Sequence, residues 1–327
     1  LTIAVIGAGI AGAACASELV KQGLDVVVFD KGRSAGGRMS SKRTPDGYLD
    51  LGAQYFTARA AAFKRQCENW LTLGVITPWQ SRLAIYENGV LGASPDQTTR
   101  YIGLPSMQKP VQQLLQQVKL NSPCRVATIK YDGTHWQLYS DEQHLGHFSQ
   151  LVIALPQQQA AMLLAEHLLQ QPQLQALFNA EALLPCWSVN IELDAATSVP
   201  FDGIFVKGDN AVSWLARQNS KTGRAPGEQW LVHFSPAFSQ LHLEADAAQI
   251  SKVAVAELQR MLGEDISVMQ TLCHRWRYAQ QAPDYPVHSH IYRTDLSLGL
   301  CGDWLNGGRV ENAWLSGYQL ARALSYD

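Results

Sequence analysis

Short apolar blocks alternate with helix-period stretches from the start of the chain. Thr2 to Ile6 is an apolar run, Ile10 to Gln22 has helical periodicity, and Asp25 to Phe29 is a second β-branched run. Strand, helix and strand in that order predict the first βαβ half of a doubly wound fold. Arg59 to Leu73 reads as an amphipathic helix, with Phe63, Cys67, Trp70 and Leu71 on one side and Arg59, Lys64, Arg65 and Glu68 on the other. Val111 to Val118 reads as another short helix. Val126 to Tyr131 and His135 to Tyr139 flank Asp132-Gly133, which predicts a hairpin on a type I′ turn, where both central residues need positive φ. Ser149 to Leu155 then reads as a buried strand and Gln157 to Gln170 as a helix.

From Leu184 to His233 the pattern changes to short strands rich in Trp, Val and Ile, separated by turn clusters at residues 194–198 and 219–223. That change predicts a second domain with an antiparallel sheet. A helix over Ala245 to Leu262 and a strand over Ile266 to Tyr278 lead back to the first domain, closed by Leu298 to Cys301 and a helix from Arg309 to Leu324. The expected fold is α/β: a doubly wound Rossmann-like domain from residues 1–75, 105–160 and 275–327, with a discontinuous second domain, mainly antiparallel, from 76–104 and 161–274. No internal repeat interrupts this order.

Composition narrows the function classes. A chain of 327 residues, 46% hydrophobic and 17% charged, is long enough for two connected domains. Its net charge of -2 supplies no broad basic field for nucleic acid or an anionic membrane. No window reaches the length of a membrane span and the first strand begins at Thr2, so the expectation is a soluble cytoplasmic protein. Six scattered cysteines make no C-x-x-C and no metal spacing, which predicts reduced thiols and no metal.

The chemistry begins at the turn Gly7-Ala8-Gly9-Ile10-Ala11-Gly12, between a strand and a helix. There the first glycine makes the tight turn, the second admits a pyrophosphate to the backbone, and the third lets helix and strand pack. Asp30 ends the second strand, at the right distance to accept hydrogen bonds from an adenosine ribose. Three further stretches point to FAD rather than NAD. Lys31 and then Gly36-Gly37-Arg38 bring a second backbone segment and a guanidinium towards the same pyrophosphate. Gly52-Ala53-Gln54-Tyr55-Phe56 puts small residues where backbone can approach a flat ring; Gln54 or Tyr55 then contacts flavin or substrate, or Tyr55 and Phe56 pack into the core. Gly302-Asp303 offers an acceptor for the ribityl chain, and the helix opening at Arg309-Val310-Glu311-Asn312-Ala313 would aim its positive end at the flavin pyrimidine.

These stretches resemble the bacterial renalases, a branch of the flavin amine oxidase superfamily. The resemblance runs nearly end to end through residues 37–43 and 52–59, Trp214-Leu215-Ala216-Arg217, His274-Arg275-Trp276 and Gly308-Arg309-Val310-Glu311. It implies the p-hydroxybenzoate hydroxylase type of FAD fold, with Met39, Val126, Ala154 and Pro156 also at the FAD. It implies as activity the oxidation of dihydronicotinamide dinucleotides reduced at ring position 2 or 6 to NAD(P)+, with electrons passed to O2 to give hydrogen peroxide. The cysteine that monoamine oxidases use after this tryptophan for covalent flavin attachment is lacking after Trp276, and neither Cys273 nor Cys301 matches it, so non-covalent FAD is expected.

Hydride loss from a dihydropyridine gives an aromatic cation without deprotonation, so no general base is required, and His233, His274, His288 and His290 are candidates only by residue type. The catalytic and substrate candidates are Gln54, Tyr55, Trp214, Arg217, Trp276 and Trp304, with Trp187, Asn219, Lys221 and Asn306 beside them. Arg217 and Lys221 would pair with a substrate diphosphate, or are solvated loop charges. Two other readings stay open: a flavin-containing amine oxidase, and a non-catalytic FAD-binding protein.

Overall fold

In the computed structural model, which describes residues 2–141, 143–168 and 171–324, the opening apolar run lies inside a six-stranded sheet. The strand order is Ile291–Arg293, Leu298–Leu300, Gln150–Ile153, Thr2–Ile6, Asp25–Phe29, Lys119–Asn121. All pairings are parallel except that of the edge strand Ile291–Arg293. Both faces are covered, which is why these strands read as continuous apolar runs and not as alternation. Ile3, Val5, Val26 and Val28 face the helices Ile10–Lys21 and Val310–Leu324; Ala4, Ile6, Val27 and Phe29 face Trp136 and Leu138 of a three-stranded sheet. The two helices approach so closely that a Cβ on Gly317 would lie 1.9 Å from the Ala11 carbonyl oxygen.

The expected helix over Arg59 to Leu73 spans Ala61–Thr72, burying Phe63, Cys67 and Trp70 but leaving Leu71 exposed at the edge of the stripe. The expected helix over Val111 to Val118 is earlier and shorter, Lys109–Leu114, with Pro110 in its first turn, where a missing N–H costs nothing. The hairpin forms between Thr128–Tyr131 and Trp136–Tyr139, but not on a type I′ turn at Asp132-Gly133. Of its residues only Gly133 takes a positive φ, +99°, while Asp132 Oδ1 accepts the backbone N–H groups of Thr134 and His135. The aspartate side chain has replaced the backbone geometry that was expected of it. The helix expected over Gln157 to Gln170 spans Gln157–Leu168; residues 169 and 170 lie outside the described ones.

The second sheet has seven strands in the order Val268–Gln281, Leu183–Leu193, Glu228–Phe234, Val212–Arg217, Gly203–Val206, Leu83–Glu87, Val90–Ala93. It is antiparallel except where Gly203–Val206 pairs with Leu83–Glu87. The strand expected to lead back to the first domain instead pairs with Leu183–Leu193 along most of its length. In this register Ser188 lies between His233 and His274. The sheet therefore lays those two histidines and Trp276 against the loop after Asp50, itself the last residue of a hairpin formed by Ser41–Thr44 and Gly47–Asp50.

Candidate active site

Each glycine of the first turn has its own geometric reason. A Cβ on Gly7, whose φ is +108°, would meet the Ala154 oxygen at 2.7 Å, and one on Gly12 would lie 2.0 Å from the Gly7 oxygen. These two glycines let strand, turn and helix close on one another. A Cβ on Gly9 would meet nothing within 4 Å, and Gly9 is the N-cap of a helix with no side-chain cap. This is the cradle a pyrophosphate needs: open space in front of N–H groups at the positive end of a helix. Gly37, at φ +55°, closes over it, since its Cβ would stand 3.2 Å from the Gly9 Cα. Asp30 Oδ2 accepts the Ala8 N–H at 2.6 Å and Oδ1 the Gly32 N–H at 2.7 Å, which fixes the carboxylate beside the cradle.

A cavity of 1530 Å³ runs from this cradle to the second sheet. It exceeds the roughly 300–1,000 Å³ common for one ligand. Of the expected cofactor residues, Gly7, Gly9, Ile10, Ala11, Asp30, Lys31, Gly37, Arg38, Met39, Gly52, Ala53, Gln54, Tyr55, Phe56, Val126, Ala154, Pro156, Gly302, Asp303, Arg309, Val310, Glu311 and Ala313 all line it. Gly12 stands behind the wall in its packing role. Eight cationic side chains, Lys31, Arg38, Arg59, Arg100, Arg125, Arg275, Arg277 and Arg309, line the cavity against four carboxylates, Asp30, Asp96, Asp303 and Glu311. Part of the surplus is met from outside the wall, where Glu244 pairs with Arg275 and Arg277 and Asp141 with Arg125; the rest is local, because the chain as a whole is net negative.

Arg38 pairs with both oxygens of Asp303 and also donates to the Ala279 carbonyl at 2.9 Å. The two residues expected to serve different parts of the cofactor thus form one bidentate unit. At the last helix, Glu311 Oε1 accepts the backbone N–H groups of Arg59 and Ala60, at 2.8 and 2.7 Å. It thereby ties the start of one helix to the start of another.

The loop after Asp50 is held unusually hard. The Leu51 carbonyl accepts from Ser188 Oγ at 2.7 Å, Trp276 Nε1 at 2.8 Å and His233 Nε2 at 3.0 Å. That third bond requires the proton on Nε2, and burial pushes the His233 imidazole down to about 4, so the ring is neutral. Trp276 also packs against Gly52, where a Cβ would lie 3.1 Å from its ring. Gln54 does not offer its amide to the cavity as expected. Its Nε2 donates to the Asp50 and Gly52 carbonyls at 2.8 and 3.0 Å, and its Oε1 accepts from Lys221 at 2.8 Å.

Lys221 is accordingly no loop charge: its side chain is fully buried, with Nζ 3.4 Å from Asp50 Oδ2. Arg224, equally buried, donates its Nε to the same oxygen at 2.8 Å, and Ser41 Oγ donates to Oδ1 at 2.7 Å. Burial alone would push the Asp50 carboxyl up, but Arg224, Lys221 and the Ser41 hydroxyl together hold it below its ordinary value. Burial pushes Lys221 down to about 8. Arg217 also stays out of the cavity, paired with Glu228 at 3.2 Å and bonded to Thr197 and the Val199 carbonyl. Asn219 bonds Glu228, Asn306 bonds the Asn312 carbonyl, and Trp187 donates to the His242 carbonyl beneath Arg275. Trp304 does line the cavity, but its ring packs on Phe178 and Tyr285 and donates to the Leu155 carbonyl.

The remaining wall is an aromatic group in which the expected Tyr55 and Trp214 are joined by Phe205, with Trp79 packed beside them. Tyr55, half-buried, stands 5.6 Å from Trp214 and 6.0 Å from Trp79, and Phe205 stands 4.8 Å from Trp214. Arg100 lies over two of these rings, its guanidinium carbon 5.0 Å from the Tyr55 centroid and 5.5 Å from that of Phe205. Phe56 instead packs into the core, against Phe63 and Trp70. Cys186 and Cys273 also line the cavity, and burial pushes their thiols up to about 12 and about 11. Neither is a ready nucleophile for a covalent flavin bond.

The sequence of an NAD(P)-binding Rossmann-like domain family matches residues 5–67, and that of the flavin containing amine oxidoreductases matches residues 65–325. Mouse renalase is 23% identical over 295 residues, 85% of this chain and 84% of its own. Among solved structures, a putative protoporphyrinogen oxidase from Exiguobacterium sp. 255-15 superposes with a TM-score of 0.75 at 12% identity, covering 99% of this chain and 98% of its own. Cyclohexylamine oxidase from Brevibacterium oxydans IH-35A gives 0.72 at 13% identity, covering 100% and 99%. These likenesses confirm the α/β fold with its Rossmann-like domain and antiparallel-rich sheet, and FAD as the cofactor.

Proposed function

The chain belongs to the flavin containing amine oxidoreductase family, and on that premise we propose that it oxidises isomeric dihydronicotinamide dinucleotides, reduced at ring position 2 or 6, to NAD(P)+. The observation that carries this reading is the cavity. It is larger than one ligand needs. A second dinucleotide beside FAD accounts for the extra space.

FAD when bound would supply the hydride acceptor, with the two electrons, the hydride's hydrogen and one proton from solvent leaving on O2 as hydrogen peroxide. The protein holds it through the Gly9 cradle, the Gly37–Arg38 segment, Asp30 for the adenosine ribose, and the opening of the Val310–Leu324 helix at the pyrimidine end. For the substrate, Tyr55, Trp214 and Trp276 supply flat surfaces, and the clamp on Leu51 fixes the loop that carries Tyr55 against the sheet that carries the two tryptophans. Neutral His233 gives no charge to compete with a developing nicotinamide cation.

An amine oxidase is the alternative. Arg100 already covers the Tyr55 and Phe205 faces that an amine would need as its cage, which argues against it. The test is stoichiometric. Purified holoenzyme in air, given each dihydronicotinamide isomer, should form NAD+ and peroxide in a one-to-one ratio. Peroxide from primary amines, with none from the isomers, would refute the proposal.

A further inference from the structure

We propose that the Asp96–Arg100 pair reads the carboxamide of the substrate's pyridine ring, an inference that rests on the dinucleotide reading above and specifies its contact. Both residues line the cavity beside Tyr55, Phe205 and Trp214. Arg100 is 6% exposed, and its Nε has no partner. The segment that carries the pair is built to hold it. Asp96 Oδ1 accepts the Thr98 N–H at 2.8 Å, Arg100 NH1 donates to the Thr98 carbonyl at 2.8 Å, and Arg100 NH2 donates to Asp96 Oδ2 at 2.6 Å. The Arg100 carbonyl in turn accepts the Trp79 N–H at 2.8 Å, and Tyr101 exchanges two backbone bonds with Phe56. Nothing in this loop needs to rearrange for a ligand.

Each terminal nitrogen of Arg100 shows one bond, which leaves each a second hydrogen, and the Asp96 carboxylate, bonded by the Thr98 N–H, the Thr98 hydroxyl and Arg100, keeps one further lone pair. A donor and an acceptor therefore stand side by side, the complement of a primary carboxamide, whose oxygen accepts and whose NH2 donates. Net charge decides against an anion. Paired with Asp96, Arg100 is locally neutral, whereas Arg59 and Arg309 elsewhere on the wall suit a diphosphate better. The flat neighbours Tyr55 and Trp214 suit the ring that bears the amide.

The experiment compares ligands that differ only in this group: NAD+ and its 3-acetylpyridine analogue, in which a methyl replaces the amide NH2. Equilibrium titration of the holoenzyme gives their dissociation constants, and the corresponding dihydro isomers give kcat and KM. The wild type should prefer the amide about tenfold or more, as expected for a hydrogen bond to a charged acceptor. Asp96→Asn should shrink that ratio several-fold, through KM rather than kcat, while FAD retention is unchanged. Arg100→Lys acts on the carbonyl oxygen that both ligands carry, so it should weaken both and leave the ratio standing. A purely structural role for Asp96 would weaken both ligands equally. A wild type that binds both ligands equally, or an Asp96→Asn variant that discriminates as well as a discriminating wild type, overturns the proposal and leaves the dinucleotide reading standing. A wild type that neither binds nor oxidises either ligand removes both. If Asp96→Asn does not fold, Asp96→Ala reads the same ratio.

Discussion

Replacing Asp50 with Asn tests how the shelf under the flavin site is held. Asp50 is the single carboxylate among two fully buried cations, Arg224 at 2.8 Å and Lys221 at 3.4 Å. Asp50→Asn keeps the volume but leaves two ammonium-type charges facing one another without a counter-ion. Breaking a buried ion pair from one side costs about 3–5 kcal/mol. Lys221→Met does the opposite. It removes a charge that burial already disfavours and leaves a neutral Asp50–Arg224 pair. Its cost is the donor lost to Gln54 Oε1, about 1–3 kcal/mol, offset by relief of that burial. The predicted order is therefore Asp50→Asn well below Lys221→Met, with a gap of roughly 2 kcal/mol or more. Urea unfolding of both holoenzymes, followed by flavin and tryptophan fluorescence, measures it. Equal midpoints, or Lys221→Met as the weaker protein, would refute the charge argument.

Gly9→Val should lose FAD while keeping native circular dichroism, because its side chain fills ligand space only; Gly12→Ala should lose thermal stability itself, since its Cβ would enter the Gly7 carbonyl. The imidazole of His233 lies at about 4 in the fold against 6.5 when free, so between those values the unfolded chain binds more protons. Stability should rise with pH across that window, and His233→Gln should flatten this part of a urea-midpoint profile. Lys221, at about 8 against 10.5, makes the same sign of contribution from pH 8 to 10.5, absent in Lys221→Met. Acid precipitation should release all the FAD to the supernatant, because Cys186 and Cys273 stay protonated; yellow pellets would contradict that.

The cofactor half of the cavity could be read from the chain because its chemistry is local. Gly7, Gly9, Gly12 and Asp30 lie within one βαβ unit, and the spacing that shapes the turn is visible as spacing. The substrate half could not be read in the same way. Trp79, Arg100, Phe205 and Trp214 come from four separate segments and meet only in the fold. Arg100 follows a polar stretch, Ser94 to Thr99, that reads as a solvated loop, and no periodicity marks it as buried. Lys221 and Arg217 carry the same lesson in reverse. In their turn-like surroundings they read as partners for a diphosphate or as solvated loop charges, yet long-range partners, Asp50 and Glu228, draw both inward. Gln54 was found by its motif, but its role depended on Lys221, 167 residues away. The turn at Asp132 was mistaken because its side chain, not its φ, makes the turn.

The measurement closest to the central claim is anaerobic rapid mixing of the yellow holoenzyme with dihydronicotinamide isomers and, separately, with primary amines. The account predicts that the 2- or 6-dihydro isomer bleaches the flavin band stoichiometrically within milliseconds to seconds, and that amines leave it yellow. Bleaching by amines, with the flavin unchanged by every dihydronicotinamide isomer, would contradict it.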